Sequence, residues 1–219
     1  MRQTELLKAD LHIHTEYSSD CNTPLEKIIN RCLRNRISCV AIADHGTIEG
    51  ALKMQRIAPF PVIVAEEILT PHGEIMGMFL KNGISSGLPI EQTMQQIKAQ
   101  GGLVCIPHPF DMFRPSALDS RMILKIVDQI DIIEVFNSRT PPIQSSSKAQ
   151  NFADKYGIAK SAGSDAHTSY EIGNAYVEMP EFNDKNDFLQ ALEKGKIYGH
   201  RTNPLTHFAS VWTKLRNRF

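Results

Sequence analysis

The stretch KADLHIHTEYSSD, residues 8–20, holds Asp10, His12, His14 and Asp20 close together. His12 and His14 occupy alternate positions, so on an extended strand both imidazoles point to one face and Ile13 to the other. That face could hold a metal ion. For a lone His-x-His pair, a polar surface strand with ordinary hydrogen-bonded histidines explains the pattern equally well. Recurrence decides between the two. Asp44 and His45, Glu66 and Glu67, His108 in PHPF, Asn137 to Arg139 in NSR, and Gly163 to His167 in GSDAH each follow a short apolar run. Imidazole nitrogens and carboxylate oxygens suit Zn, Mn or Fe and argue against thiolate chemistry. The pattern points to a centre of divalent metal ions.

The elements that must position these groups alternate along the chain. The runs SCVAIA, PVIVA, EIMGMFL, GLVCI, DIIEVF and GIAKSA, rich in Ile and Val, read as strands. Between them lie amphipathic helices near 23–33, 47–57, 89–99, 119–129, 143–155 and 184–194. In TPLEKIINRCL, Thr23 is expected to cap, Pro24 to take the first helical position and Glu26 to complete a capping box. Pro89 and the Gly101–Gly102 pair bracket another helix. This is an α/β pattern, and in a barrel of parallel strands the C-terminal strand ends converge on the face that carries the chemistry.

With 219 residues, 42% of them hydrophobic and 22% charged, the chain is expected to form one compact domain. Lys plus Arg and Asp plus Glu each number 24, so it lacks the basic excess of a general nucleic-acid binder. The four cysteines form no C-x-x-C pair and read as free thiols, with Cys32 and Cys105 in the core. MRQTELLKADLH has no apolar signal region and no apolar run reaches membrane-spanning length, so the expected compartment is the cytoplasm. Residues 203–219 are expected to form an amphipathic helix, with Leu205, Phe208, Trp212, Leu215 and Phe219 on one stripe. It would pack on the barrel exterior or form a homodimer seam. Lys214, Arg216 and Arg218 suit the C-terminal end of such a helix.

Taken in order, DLHIHTEYSSD, ADHGT, AEEI, IPHPF and GSDAH resemble the motifs of the polymerase and histidinol phosphatase (PHP) family of metal-dependent phosphoesterases, over about residues 8 to 170. The resemblance implies a distorted (β/α)7 barrel with a trinuclear metal centre at the C-terminal ends of the strands. It gives one ion to His12, His14, Glu67 and Asp165. A second would share Glu67 as a bridge and use His108, and a third would be held by Asp20, His45 and His167. Many family members complete the second site with a histidine, whereas TPHGEIMG places Glu74 there, with His72 nearby in a turn as the lesser candidate. A carboxylate in place of an imidazole would make that site harder.

Asp10 and Asp44 precede ligand-type histidines and are expected to fix imidazole tautomers. Glu66, next to Glu67, should point to the opposite side of its strand. Arg139 in FNSR and Arg201 in GHRTNP are candidates for a bidentate grip on phosphate. Arg114 and Arg121 read as solvated, and His200 as a surface residue beside Arg201. Ser164 has no partners in a Ser-His-Asp order, which argues against covalent catalysis. The expected activity is hydrolysis of a small phosphorylated substrate, a phosphomonoester, nucleotide or short oligonucleotide, by a metal-bound hydroxide. The alternatives are a nuclease acting on nucleic-acid ends and a non-catalytic PHP module that only binds metal.

Overall fold

The computed structural model describes residues 6–141 and 147–203. The expected C-terminal helix falls almost wholly outside these residues. In chain order the elements are β1 (Leu7–Ile13), α1 (Leu25–Asn35), β2 (Cys39–Ile42), α2 (Glu49–Ile57), β3 (Val62–Thr70), β4 (Gly73–Met78), α3 (Ile90–Ala99) and β5 (Leu103–Ile106). There follow α4 (Ser120–Lys125), a 3-10 turn at Val127–Gln129, β6 (Ile132–Asn137), α5 (Ser147–Tyr156), β7 (Ala159–Gly163), β8 (Ala175–Met179), α6 (Lys185–Glu193) and β9 (Lys196–Gly199).

The strands form one sheet in the order β7-β6-β5-β4-β3-β2-β1-β8-β9. The β1–β2–β3 and β5–β6–β7 groups are parallel. Between them β4 runs antiparallel to both neighbours, which departs from a regular parallel barrel. The cause is the short turn TPHG, too brief for a crossover helix and long enough for a hairpin: Thr70 pairs with Gly73, and the Thr70 hydroxyl donates to the Gly73 carbonyl at 2.7 Å. The reversal has a useful effect. It brings the start of β4, and therefore Glu74, to the same end of the sheet as the end of β3. Strands β8 and β9, which the apolar runs did not reveal, add antiparallel on the other side of β1.

The segment after β7 docks back on β1. Ile13 and Ala166 form a parallel bridge, the Asp165 amide donates to the His12 carbonyl at 2.8 Å, and the His14 amide donates to the Ala166 carbonyl at 3.0 Å. The sheet is thereby nearly closed into a barrel, a mixed α/β architecture. Strand alternation divides the core in two. Val40, Ile42, Val62 and Val64 join one cluster with Ile28, Met54 and Ile97 of the helices. Ala41, Ala43, Ile63 and Ala65 belong to a second, which also takes in Phe188, Ala191 and Leu192 of α6.

Local details differ from expectation at the start of α1. Pro24 is the residue preceding the helix and offers no side-chain cap; the Glu16 carboxylate accepts from the Leu25 amide at 3.4 Å instead. The Thr23 hydroxyl donates to the His167 carbonyl at 3.0 Å, so a residue that looked like a cap ties the loop after β1 to the loop after β7. All four cysteines are free and buried. No helix among the described residues is long and apolar enough to cross a membrane.

The contact of β7 with β1 leaves no room for a side chain at Gly163. A Cβ there would lie 2.2 Å from the His12 Cβ, 2.8 Å from the His12 amide nitrogen and 3.0 Å from Glu134 Oε1. Gly163→Ala is therefore expected to cost about 1–3 kcal/mol by overpacking and to displace His12. Urea denaturation of the two proteins measures this, and an unchanged midpoint would show that the barrel seam is looser than described.

Candidate metal centre

The strand ends deliver their polar side chains to one buried cluster. His12 is the penultimate residue of β1 and His14 follows the strand, both fully buried, with their Nε2 atoms 3.1 Å apart. Glu67 continues the Ile63–Ala65 face of β3 and enters the cluster. Glu66 points the other way, as expected, and accepts from the Ile84 amide at 2.9 Å. Glu67 Oε2 lies 3.4 Å from the Nε2 atoms of both His12 and His14 and 3.5 Å from His45 Nδ1. Its Oε1 lies 2.9 Å from His108 Nε2. Asp165 Oδ1 faces His14 Nε2 at 3.3 Å, His167 Nδ1 at 3.6 Å and His12 Nε2 at 3.7 Å. Asp20 Oδ2 lies between His45 at 3.2 Å and His167 at 3.3 Å.

Glu74 reaches His45 Nδ1 and His108 Nε2, each at 3.6 Å, and so joins the cluster. His72 is exposed at the hairpin tip, outside the cluster. Ligand-type atoms come within 4.8 Å of one another in three overlapping sets: His14, Asp20, His45 and His167; His12, His14 and Glu67; and His45, Glu67 and Glu74. All nine residues picked out by the motifs thus meet at one place.

The donor set fits cations. Glu67 Oε2, Glu74 Oε2 and Asp165 Oδ1 are buried carboxylate oxygens with no hydrogen-bond partner, a costly arrangement unless a positive charge sits among them. Their 3.3–3.7 Å spacings to the imidazole nitrogens are long for hydrogen bonds. Two ligands held about 2.1 Å from one tetrahedral ion lie about 3.4 Å apart.

Without cations the cluster holds protons. Burial would strip the proton from His14, but hydrogen bonds to Asp165 and Glu67 overcome it and lift the imidazole to about 10. Burial works against an ionised Asp20, yet His167 and His45 hold its carboxyl far below the usual range. Burial, reinforced by the charges of His14 and Arg139, pushes His167 down to about 3.

Several supporting residues differ from expectation. Asp10 does not touch an imidazole: it accepts from the Ser164 and Gly173 amides, each at 2.9 Å, and clasps the loop that carries Asp165 and His167. Burial raises its pKa to about 6. Asp44 accepts from the amide and hydroxyl of Thr15, both at 2.6 Å. The carboxylate that orients a histidine is Glu134, which the motifs did not reveal. It accepts from His12 Nδ1 at 3.1 Å, leaving Nε2 for the cluster, and also from the His108 amide at 2.6 Å and Asn137 Nδ2 at 2.9 Å. A lone carboxylate inside the apolar run DIIEVF was the available signal.

Arg139 is buried, with Nε 3.5 Å from Glu171 Oε1. The other oxygen of Glu171 accepts from the His167 and Thr168 amides. Arg201 Nη1 donates to the Asn137 carbonyl at 2.5 Å, and its guanidinium lies over the Phe136 ring. Arg114, expected in solvent, instead donates through Nη2 to Asp165 Oδ2 at 2.5 Å. Arg121 is exposed beside Asp119, and His200 is exposed with its amide donating to the Asn174 carbonyl.

Because His14 keeps a proton up to about pH 10, divalent ions must displace it to bind the ring. Binding is expected to tighten as pH rises from about 6 to 8, by up to about tenfold per unit for each proton displaced. Calorimetric titration in buffers of different ionisation enthalpy counts the released protons. Binding that releases none would mean that the ring nitrogens are already bare.

Residues 10–65 match the PHP domain family and residues 145–197 the PHP-associated family. An uncharacterized protein of Methanocaldococcus jannaschii, MJ0417, is 35% identical over 203 residues, which span 91% of this chain and 82% of that protein. A second from the same organism, MJ1587, is 37% identical over 146 residues, 60% of this chain and 82% of that protein. Among solved structures, a two-domain protein of Bacteroides vulgatus containing a predicted PHP-like metal-dependent phosphoesterase superposes with a TM-score of 0.70 at 16% identity. The match covers 89% of this chain and 65% of that protein. An amidohydrolase of Chromobacterium violaceum with bound sulfate and no metal gives 0.66 at 17% identity, covering 87% and 97%. These structures share the fold, and the matched motifs, the M. jannaschii relative and the clustered histidines and carboxylates agree: the chain belongs to the PHP family.

Proposed function

We propose that the protein hydrolyses the phosphate ester of a small phosphorylated substrate, a nucleotide or very short oligonucleotide in preference to a sugar phosphate. The observation that carries this reading is the convergence of His12, His14, Asp20, His45, Glu67, Glu74, His108, Asp165 and His167 around buried carboxylate oxygens that lack partners. These residues would hold two to three divalent ions, Zn, Mn or Fe, with Glu67 shared between sites. Such ions supply Lewis acidity toward phosphoryl oxygens and lower the pKa of water. The protein's own contribution is to hold the ligands rigidly. Glu134 fixes the His12 ring, Asp10 secures the Asp165 loop, and Glu171 secures the His167 loop beside Arg139.

The size of the opening supports a small substrate. A cavity of about 240 Å³ lies over His45, Glu67 and Glu74, bounded by Ser19, Gly46, Leu69 and Ser86. That is room for a phosphoryl group and part of what it is attached to. With equal numbers of acidic and basic residues, the chain has no charge excess with which to track a long polyanion.

Hydrolysis of a mononucleotide, a sugar phosphate, a short oligonucleotide and a long single strand by the metal-loaded protein, at two salt concentrations, tests the reading. The mononucleotide or short oligonucleotide is expected to be cleaved fastest, with weak salt dependence. Faster cleavage of the long strand with a steep salt slope would replace this reading with a nuclease. Metal binding without hydrolysis of any of the four would favour a non-catalytic module.

A further inference from the structure

Leu69 is an apolar residue at a position where its neighbours on the strand face are polar. Ile63, Ala65 and Glu67 share one face of β3, and Leu69 continues that face one step beyond Glu67, toward the end of the strand. Across the hairpin it pairs with Glu74. It therefore stands beside two carboxylates of the cluster, yet it is 48% exposed. Apolar surface at the mouth of a polar site gains free energy if a ligand covers it.

Two cavities meet over this side chain. One, of about 240 Å³, holds His45, Glu67 and Glu74 and is bounded by Ser86. The other, of about 480 Å³, lies between the tip of the β3–β4 hairpin and the segment 115–119, and Leu69 borders it together with Pro71, His72, Pro115 and Ala117. Both walls are fixed through the backbone. The Ile84 amide donates to Glu66 at 2.9 Å and the Gly87 amide to the Leu69 carbonyl at 2.7 Å, which ties the segment carrying Ser86 to β3 at two points. On the other side the Glu74 amide donates to the Ser116 carbonyl at 2.8 Å and the Asp119 amide to the His72 carbonyl at 3.0 Å. At Gly73 the hairpin and this segment are so close that a Cβ would lie 2.6 Å from the Leu118 Cα. The groove is thus set before any ligand arrives, which lowers the cost of binding.

We propose that this groove seats the leaving group of the substrate and that the group carries a nucleobase, which lies across Leu69. The assignment rests on the phosphoester reading above and specifies how the non-phosphate part of the substrate is held. A phosphoryl group at the histidines and carboxylates fills much of the smaller cavity, so what it is attached to must extend beyond it. Over Leu69 it enters the larger one. There Leu69, Pro71 and Pro115 offer apolar surface to the face of a planar ring. The His72 ring is exposed and makes no hydrogen bond among the described residues, its backbone amide alone being bonded, to Thr70. A neutral imidazole carries one donor and one acceptor, which suits the edge of a base that presents both. A sugar, with hydroxyls around its ring, gains little from the same leucine.

The test uses the full chain, metal-loaded, with adenosine monophosphate and glycerol 2-phosphate as paired substrates. The readout is the ratio of their kcat/KM values, in which any loss of metal cancels. Wild type is expected to favour the nucleotide. Leu69→Ser should lower that preference about tenfold, with the larger part in KM for the nucleotide. His72→Ala should lower it about threefold. Leu33→Ser, at a leucine 54% exposed on α1, should keep the wild-type ratio. Adenosine, which has no phosphate, gives a readout free of chemistry: its proton resonances should broaden with wild type and much less with Leu69→Ser. An unchanged ratio in Leu69→Ser, or equal broadening by the two proteins, overturns the assignment. So does a wild-type ratio near one, which leaves the phosphoester reading standing. An unchanged ratio in His72→Ala removes the imidazole from the groove. Hydrolysis of neither substrate by wild type would remove the phosphoester reading itself, and the assignment with it.

Discussion

Keeping Glu67 and Asp165 ionised in the interior is the constraint on which the rest of the structure turns. Both carboxylates are essentially fully buried, and an unpaired charge in such a place costs several kcal/mol. The fold surrounds them with His12, His14, His45, His108 and His167 on the cluster side and with Arg114 and Asn137 behind Asp165. Protons meet the requirement in part, as the raised pKa of His14 shows. Divalent ions would meet it better, since each brings two positive charges and can reach the oxygens that no hydrogen bond satisfies.

The barrel solves the positioning problem through backbone hydrogen bonds rather than through long side-chain reach. The β7–β1 seam fixes Asp165 against His12, and the His45–Glu67 bridge fixes the end of β2 against β3. The reversed strand β4 then brings Glu74 across from Glu67. A second layer of carboxylates, Asp10, Asp44, Glu134 and Glu171, spends its acceptors on loop amides, on Thr15 and on the Nδ1 of His12. These groups keep the ligands where a cation can bind them without rearrangement.

Most residues of the cluster could be read in the sequence because they stand at or just beyond the ends of apolar runs, and a strand end is a local feature; Asp20 and Glu74 lie outside that pattern. The contrast between Glu66 and Glu67 was also legible, since alternation along a strand is a property of the chain alone. What escaped depended on contacts between distant segments. Arg114 reads as solvent-exposed until the loop after β5 folds onto the Asp165 loop, 51 positions away in sequence. Asp10 and Asp44 stand next to histidines in the chain, but their carboxyl groups meet amides and a hydroxyl brought in by other segments. Strands β8 and β9 are short and half-buried, and they gain their place by pairing with β1 and with each other. The antiparallel course of β4 was signalled by TPHG, a turn too short for any helix.

The central claim is that the buried histidine and carboxylate cluster is a multi-ion metal centre. Anomalous diffraction from crystals of the protein loaded with Mn or Zn, recorded at the absorption edge of that metal, tests it most directly. The account predicts at least two anomalous peaks, one of them among His12, His14, Glu67 and Asp165, with Glu67 touching two ions. A loaded crystal with no peak in the cluster, its imidazoles and carboxylates paired through protons alone, would contradict it.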